Sequence, residues 1–195
     1  MRHRAGNAVS PQRKIISNAD KFGNAGIKKQ QGTTRVLYDS LLLDGTTNLR
    51  FFEGSNNRDF PLTNTGADGN RLGVGGAMAI ERCYYSIVTI TAGVVTSITT
   101  LDAVLDDLLI GEQEISIANN VVLKNMALLS MDPRFNKNAT FDGYNNFEYD
   151  TQLVLNPLLE FVFPTRVNTY TPIVDTYLRL TIEGTGAIIS PRGTF

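Results

Sequence analysis

Two pairs of carboxylates stand at the spacing that puts alternate residues of a strand on one face: Glu112/Glu114 and Glu148/Asp150. Facing carboxylates could cleave a glycosidic bond, one acting as acid and the other as base or nucleophile. A sugar site also wants aromatic platforms, and the chain has no Trp, with seven Tyr as its only polar aromatics. These acids are read as the wet face of a strand. Nucleophilic catalysis needs Ser, Thr or Cys beside a base. The one imidazole, His3, lies in an aperiodic leader, and the one thiol, Cys83, sits between Arg82 and Tyr84 in a strand-like run. Cys83 is expected to pack in the core.

Other oxygen- and glycine-rich spots fare no better. Gly73-Val74-Gly75-Gly76 has neither the register nor the ending of a phosphate loop. Asp142-Gly143-Tyr144-Asn145-Asn146 misses calcium-loop spacing and reads as a turn. Asp102, Asp106 and Asp107 do not converge on one helical face. One Cys and one His also leave no disulfide framework and no Cys/His zinc site. The expectation is a non-enzyme with no catalytic, cofactor-binding or metal-ligating residue, no cofactor and no small-molecule substrate.

Charge is where the chain departs from the ordinary. Residues 1–33 carry seven cations (Arg2, Arg4, Arg13, Lys14, Lys21, Lys28 and Lys29) and one carboxylate, Asp20. The remaining residues sum to -7, so the overall -1 conceals a basic leader on an acidic body. Such asymmetry points to a polyanion or to subunit contacts. The leader is rich in Gly, Asn, Gln and Ala, holds no helical or strand period, and is expected to be an arm. Fully extended it would reach roughly 110 Å at ~3.3–3.6 Å per residue. Met1-Arg-His-Arg is followed by polar residues, so no secretory leader is expected. Nor does any apolar run approach the ~20 residues of a membrane-spanning helix. Synthesis in the cytoplasm is expected.

The elements that would carry any of these residues are strands. With 42% hydrophobic residues in 195, the chain can build one sizeable core, which excludes a disordered polymer. Val174, Thr176, Leu178, Leu180 and Ile182 alternate with Asp175, Tyr177, Arg179, Thr181 and Glu183, the period of an antiparallel strand with one wet face. Further strands are expected at 34–43, 48–53, 80–91, 94–99, 114–118, 121–131, 147–155, 159–163 and 186–189. Leu101, Val104, Leu105, Leu108 and Leu109 follow a helical stripe, so one short helix is expected over 101–110. Long connections are expected over 54–76, 132–145 and 164–172. The predicted organisation is an arm over 1–33 and, over 34–195, an all-β antiparallel sandwich of eight to ten strands, with a jelly roll favoured.

A basic Gly/Asn/Gln-rich arm ahead of such a sandwich resembles the single jelly-roll capsid proteins of icosahedral viruses. Phe60-Pro61-Leu62-Thr63-Asn64 before Ile80-Glu81-Arg82-Cys83-Tyr84-Tyr85 is similar to segments of structural proteins of tailless or small bacteriophages. The closing Tyr177-Leu178-Arg179-Leu180-Thr181-Ile182-Glu183-Gly184 suits the last strand of a shell domain. The resemblance implies a virion protein that assembles with copies of itself and other virion proteins into a closed shell. It also implies that the arm's cations touch genome, an internal membrane or neighbouring subunits. Two alternatives use the same features. One is a vertex, spike or receptor-binding sandwich forming a discrete oligomer. The other is a single-stranded nucleic-acid binder stacking bases on Tyr and Phe, against which the acidic body argues.

Overall fold

Strands form here because apolar and polar residues alternate over runs rich in Val, Ile, Thr, Tyr and Phe, and because two-residue turns join them. The computed structural model describes residues 30–54, 58–65, 69–73, 76–100, 106–131 and 146–189. Nine strands follow in order: β1 (Gln30–Leu42), β2 (Asn48–Phe51), β3 (Gly76–Thr91), β4 (Val94–Thr100), β5 (Gly111–Ile117), β6 (Asn120–Ala127), β7 (Asn146–Leu155), β8 (Phe161–Val167) and β9 (Thr176–Ile189). Ala92-Gly93 and Ala118-Asn119, all at positive φ, make the β3–β4 and β5–β6 hairpin turns.

The chain is an all-β antiparallel sandwich. One sheet runs β1-β9-β3, with β4 and β7 end to end along the far edge of β3: β7 pairs Met78–Tyr84 and β4 pairs Ser86–Thr91. The other runs β2-β8-β5-β6. Four of these pairings are nested: β5 with β6, β3 with β7, β2 with β8 and β1 with β9. The connectivity is that of a long antiparallel ribbon doubled back at the β5–β6 turn and wound into two layers.

The core lies between the layers. Leu178, Leu180 and Ile182 of β9 face inward beside Cys83, Tyr85 and Ile87 of β3. Opposite them Phe51, Phe52, Phe161 and Phe163 form an aromatic cluster. Phe52 lies 5.4 Å from Phe161 and 5.5 Å from Phe163, ring to ring, and Phe51 meets the Tyr85 ring edge-on at 5.7 Å.

Several expectations need correcting. Of the helix expected over 101–110, one turn, α1 (Asp106–Leu109), falls within the described residues; 101–105 lie outside them. The strand expected to reach Met131 ends at Ala127 and gives way to a 3-10 turn, Leu128–Met131. Val174 is 84% exposed rather than inward, because Asp175 at φ 54 breaks the alternation before β9 starts. β1 begins at Gln30, four residues ahead of the expected boundary, paired with Ile189. Residues 184–185, expected as a gap, continue β9 without a break. Pro164 opens no loop. It lies within β8, where the β5–β8 ladder skips from Gln113↔Thr165 to Ser116↔Val162, so its missing N–H interrupts nothing.

Gly184 of β9 sits opposite Ile80, where the β3 register shifts before Arg82. A Cβ at Gly184 would run into the Ala79 carbonyl, and backbone cannot swing aside. Gly73 has open space around it. Gly184→Ala is therefore expected to cost about 3 kcal/mol, lowering the thermal midpoint by roughly 6–12 °C for a domain of this size. Gly73→Ala is expected to stay within about 0.5 kcal/mol. Calorimetry of both variants checks the contrast.

Candidate functional site

Most sequence candidates do not converge. Arg2, Arg4, Arg13, Lys14, Lys21, Lys28, Lys29 and His3 lie outside the described residues, as do Asp102 and Asp142–Asn145. Glu112 and Glu114 occupy the solvent side of β5, alternating with buried Gln113 and Ile115. Glu148 and Asp150 both belong to β7. Gly76 N–H donates to the Gly73 carbonyl at 2.8 Å, closing a turn at the start of β3. Among the described residues no group of three or more His, Cys, Asp or Glu could hold a metal ion. Among them, too, no helix is long and apolar enough to cross a membrane.

The structure does bring together a group that composition does not reveal. Asp39 faces the core from β1, between Leu37 and Leu41, and is 2% exposed. Its carboxylate accepts from Ser40 N–H at 3.0 Å, from Phe52 N–H at 2.6 Å and from Arg58 Nε at 3.0 Å, with Arg58 Nη2 on its second oxygen. Phe52 has φ 58, a left-handed conformation costing ~1–2 kcal/mol for a residue with a Cβ. That twist lets consecutive Phe51 and Phe52 both point into the core, which a regular strand forbids. Asp39 clamps the twisted amide, and Arg58 neutralises Asp39. Burial pushes the Asp39 carboxyl above its ordinary range, with Arg58 and the two amides pulling the other way.

A second polar group crosses between the sheets. Tyr149 Oη donates to Cys83 Sγ at 2.9 Å, Cys83 to Gln113 Oε1 at 3.9 Å, and Gln113 Nε2 to Tyr85 Oη at 2.7 Å. Tyr85 Oη is 2.7 Å from Thr165 Oγ1, which reaches the Phe163 carbonyl at 3.5 Å. The five side chains come from β7, β3, β5 and β8, so the chain of bonds fixes one sheet against the other. Burial pushes the Cys83 thiol up to about 12 and the Tyr85 and Tyr149 hydroxyls well above the phenol range. The thiol is held inert, which agrees with its expected place in the core.

Among the described residues a cleft of about 350 Å³ lies between the end of β1 and β2, lined by Ser40, Leu42, Asp44, Asn48, Arg50 and Arg58 among others. Its cations are engaged: Arg50 Nε meets Glu53 Oε1 at 2.6 Å and Arg58 serves Asp39. Within it Asp44 accepts from the Thr46 side chain and, at 2.9 Å, from Thr46 N–H, which hold its carboxyl below the ordinary range. Beside it the 58–65 segment is tied to the first sheet. Arg179 stacks 4.3 Å over Tyr38 and donates to the Pro61 carbonyl at 2.7 Å, while the Asn64 amide bonds Tyr38 N–H and the Val36 carbonyl, both at 2.8 Å. The segment presents Phe60, 83% exposed. No family model, curated protein or solved structure matches the chain. Its function is therefore read from its fold and surfaces.

Sequence reasoning missed Asp39, although a lone carboxylate at an inward position between Leu37 and Leu41 was the available signal. Replacing Arg58 should expose its cost. Arg58→Met is expected to destabilise by about 3 kcal/mol at pH 8, leaving a buried carboxylate without its counter-charge. Without Arg58 the folded-state pKa of Asp39 rises further, so the native state holds a proton that the unfolded state has released. Stability then falls as pH rises through that raised pKa. The deficit of the variant against the parent should accordingly shrink from pH 8 to pH 5. Urea titrations across that range test it; a deficit independent of pH would contradict it.

Proposed function

We propose that this chain is a structural virion protein whose sandwich is a jelly roll and whose copies assemble into a closed icosahedral shell. One observation carries the reading: the nested pairing of β1·β9, β2·β8, β3·β7 and β5·β6, the doubled and wound ribbon of two Greek keys that a jelly roll requires, with β4 as an added hairpin strand. The interior supports it. Two buried polar ties and an aromatic cluster make a stiff body, and a stiff body is what repeated contacts need if a shell is to close at a fixed curvature. The Cys83 thiol, buried and pushed up to about 12, is unsuited to attack, which supports reading the chain as a non-enzyme.

The basic leader takes the second role. With its seven cations it contacts neighbouring subunits or the interior of the shell, where genome or membrane supplies negative charge. Other virion proteins are the remaining partners, and the virion is the location. Light scattering on the full chain over a range of salt is expected to find large particles of uniform size. Removal of 1–29, which spares all of β1, is expected to change their size or yield. A monomer, or one fixed small oligomer at every salt concentration, would favour a vertex or receptor-binding protein and overturn the shell.

A further inference from the structure

The edges of the two sheets are treated unequally. An exposed strand edge is a template for pairing with another chain, and proteins blunt such edges with charge, brevity, bulges or a covering segment. The β1 edge is covered at Val36–Tyr38, where the Asn64 amide occupies Tyr38 N–H and the Val36 carbonyl and Asn64 N–H and Thr63 Oγ1 take the Tyr38 carbonyl, and the strand also carries Arg35. β2 is four residues long and carries Arg50. β6 carries Lys124, has Asn125 at φ 54, and meets β5 through two register shifts. β7 carries Glu148 and Asp150.

β4 has only one of these devices among the described residues, a single register shift where Thr89 and Ile90 of β3 face Ser97 and Val95. Its sequence, Val94-Val95-Thr96-Ser97-Ile98-Thr99-Thr100, holds no charge, no Pro and no Gly, and six of its seven residues are β-branched. Val94 and Ile98 are each 63% exposed. Among the described edge strands it alone is uncharged.

We infer that β4 is an interface and that its occupant is β4 of a second copy, paired antiparallel about a two-fold axis through Ser97. The strand is self-complementary in that register. Val94 falls opposite Thr100, Val95 opposite Thr99, and Thr96 opposite Ile98, so β-branched residues meet on both faces and no like charges are opposed. A charged partner strand would find no counter-charge there, and an isologous pair needs none. The pairing joins the β1-β9-β3-β4 sheets of two subunits into one. At ~3.4 Å per residue the shared edge is about 24 Å long, fewer residues than the ~20–30 a side of a stable standalone interface. It therefore forms a weak contact that other contacts reinforce. The inference stands on the edges alone and does not require a shell.

Cross-linking tests it directly. Directly opposed residues of an antiparallel pair have Cα atoms about 4.5–5.5 Å apart, within the ~4.4–6.8 Å a disulfide spans. Cys83, buried, gives no background. Mild oxidation of full-length Ser97→Cys is expected to convert more than half of the chain to a disulfide dimer on a non-reducing gel. Val122→Cys, on the exposed β6 that carries Lys124 and the left-handed Asn125, is expected to stay uncross-linked under the same conditions. Ser97→Lys should weaken self-association at least tenfold in sedimentation, and mixing it with Ser97→Glu should restore it. An uncross-linked Ser97→Cys, equal cross-linking of Val122→Cys, or Ser97→Lys that associates like the parent would each overturn the inference.

Discussion

A sandwich of two open sheets leaves backbone N–H and C=O groups along its edges, and these need partners as surely as those inside. That requirement shapes this molecule more than any single side chain. β9 and β8 have partners on both sides, and β3 has β9 along one edge and β7 and β4 along the other. The cost is moved to the outermost strands, which the chain covers, shortens, bends or charges. The segment 58–65 exists in its observed form largely to close the β1 edge: Asn64 bonds the strand, Arg58 enters the core to meet Asp39, and Arg179 holds Pro61 from above.

The same segment links edge protection to core packing. Asp39 could have been an apolar residue like its neighbours Leu37 and Leu41. As a carboxylate it holds Phe52 in a left-handed turn, and that turn delivers two consecutive phenylalanines to the aromatic cluster. Across the sandwich, the bonds from Tyr149 through Cys83, Gln113 and Tyr85 to Thr165 set the slide of one sheet over the other. Apolar contacts are tolerant of small slips; a satisfied chain of buried donors and acceptors is not. The outcome is a sandwich whose two layers are tied in one register.

Much of this was legible in the sequence. Period-two alternation located the strands, because one face is buried and a slip would turn every side chain over. The inward set Leu178, Leu180 and Ile182 is an example. The failures have physical causes. Pro164 reads as a breaker because local rules do not reveal where a ladder skips a bond. Asp39 and Arg58 are 19 residues apart and meet only through tertiary folding. The exposure of β4 was equally hidden, since Val94-Val95-Thr96-Ser97-Ile98 reads like any half-buried strand until its neighbours are known. The seven leader cations, the largest charge feature of the sequence, lie outside the described residues.

The account turns on whether this body is built to meet copies of itself along an uncharged edge. Hydrogen–deuterium exchange of the full chain, at high concentration and after dilution, measures that at the backbone. Amides of 95–99 are expected to exchange slowly in the concentrated state and markedly faster on dilution, while those of β9 stay slow in both. Equal, fast exchange of 95–99 at every concentration would mean that nothing pairs with β4, and would contradict the account.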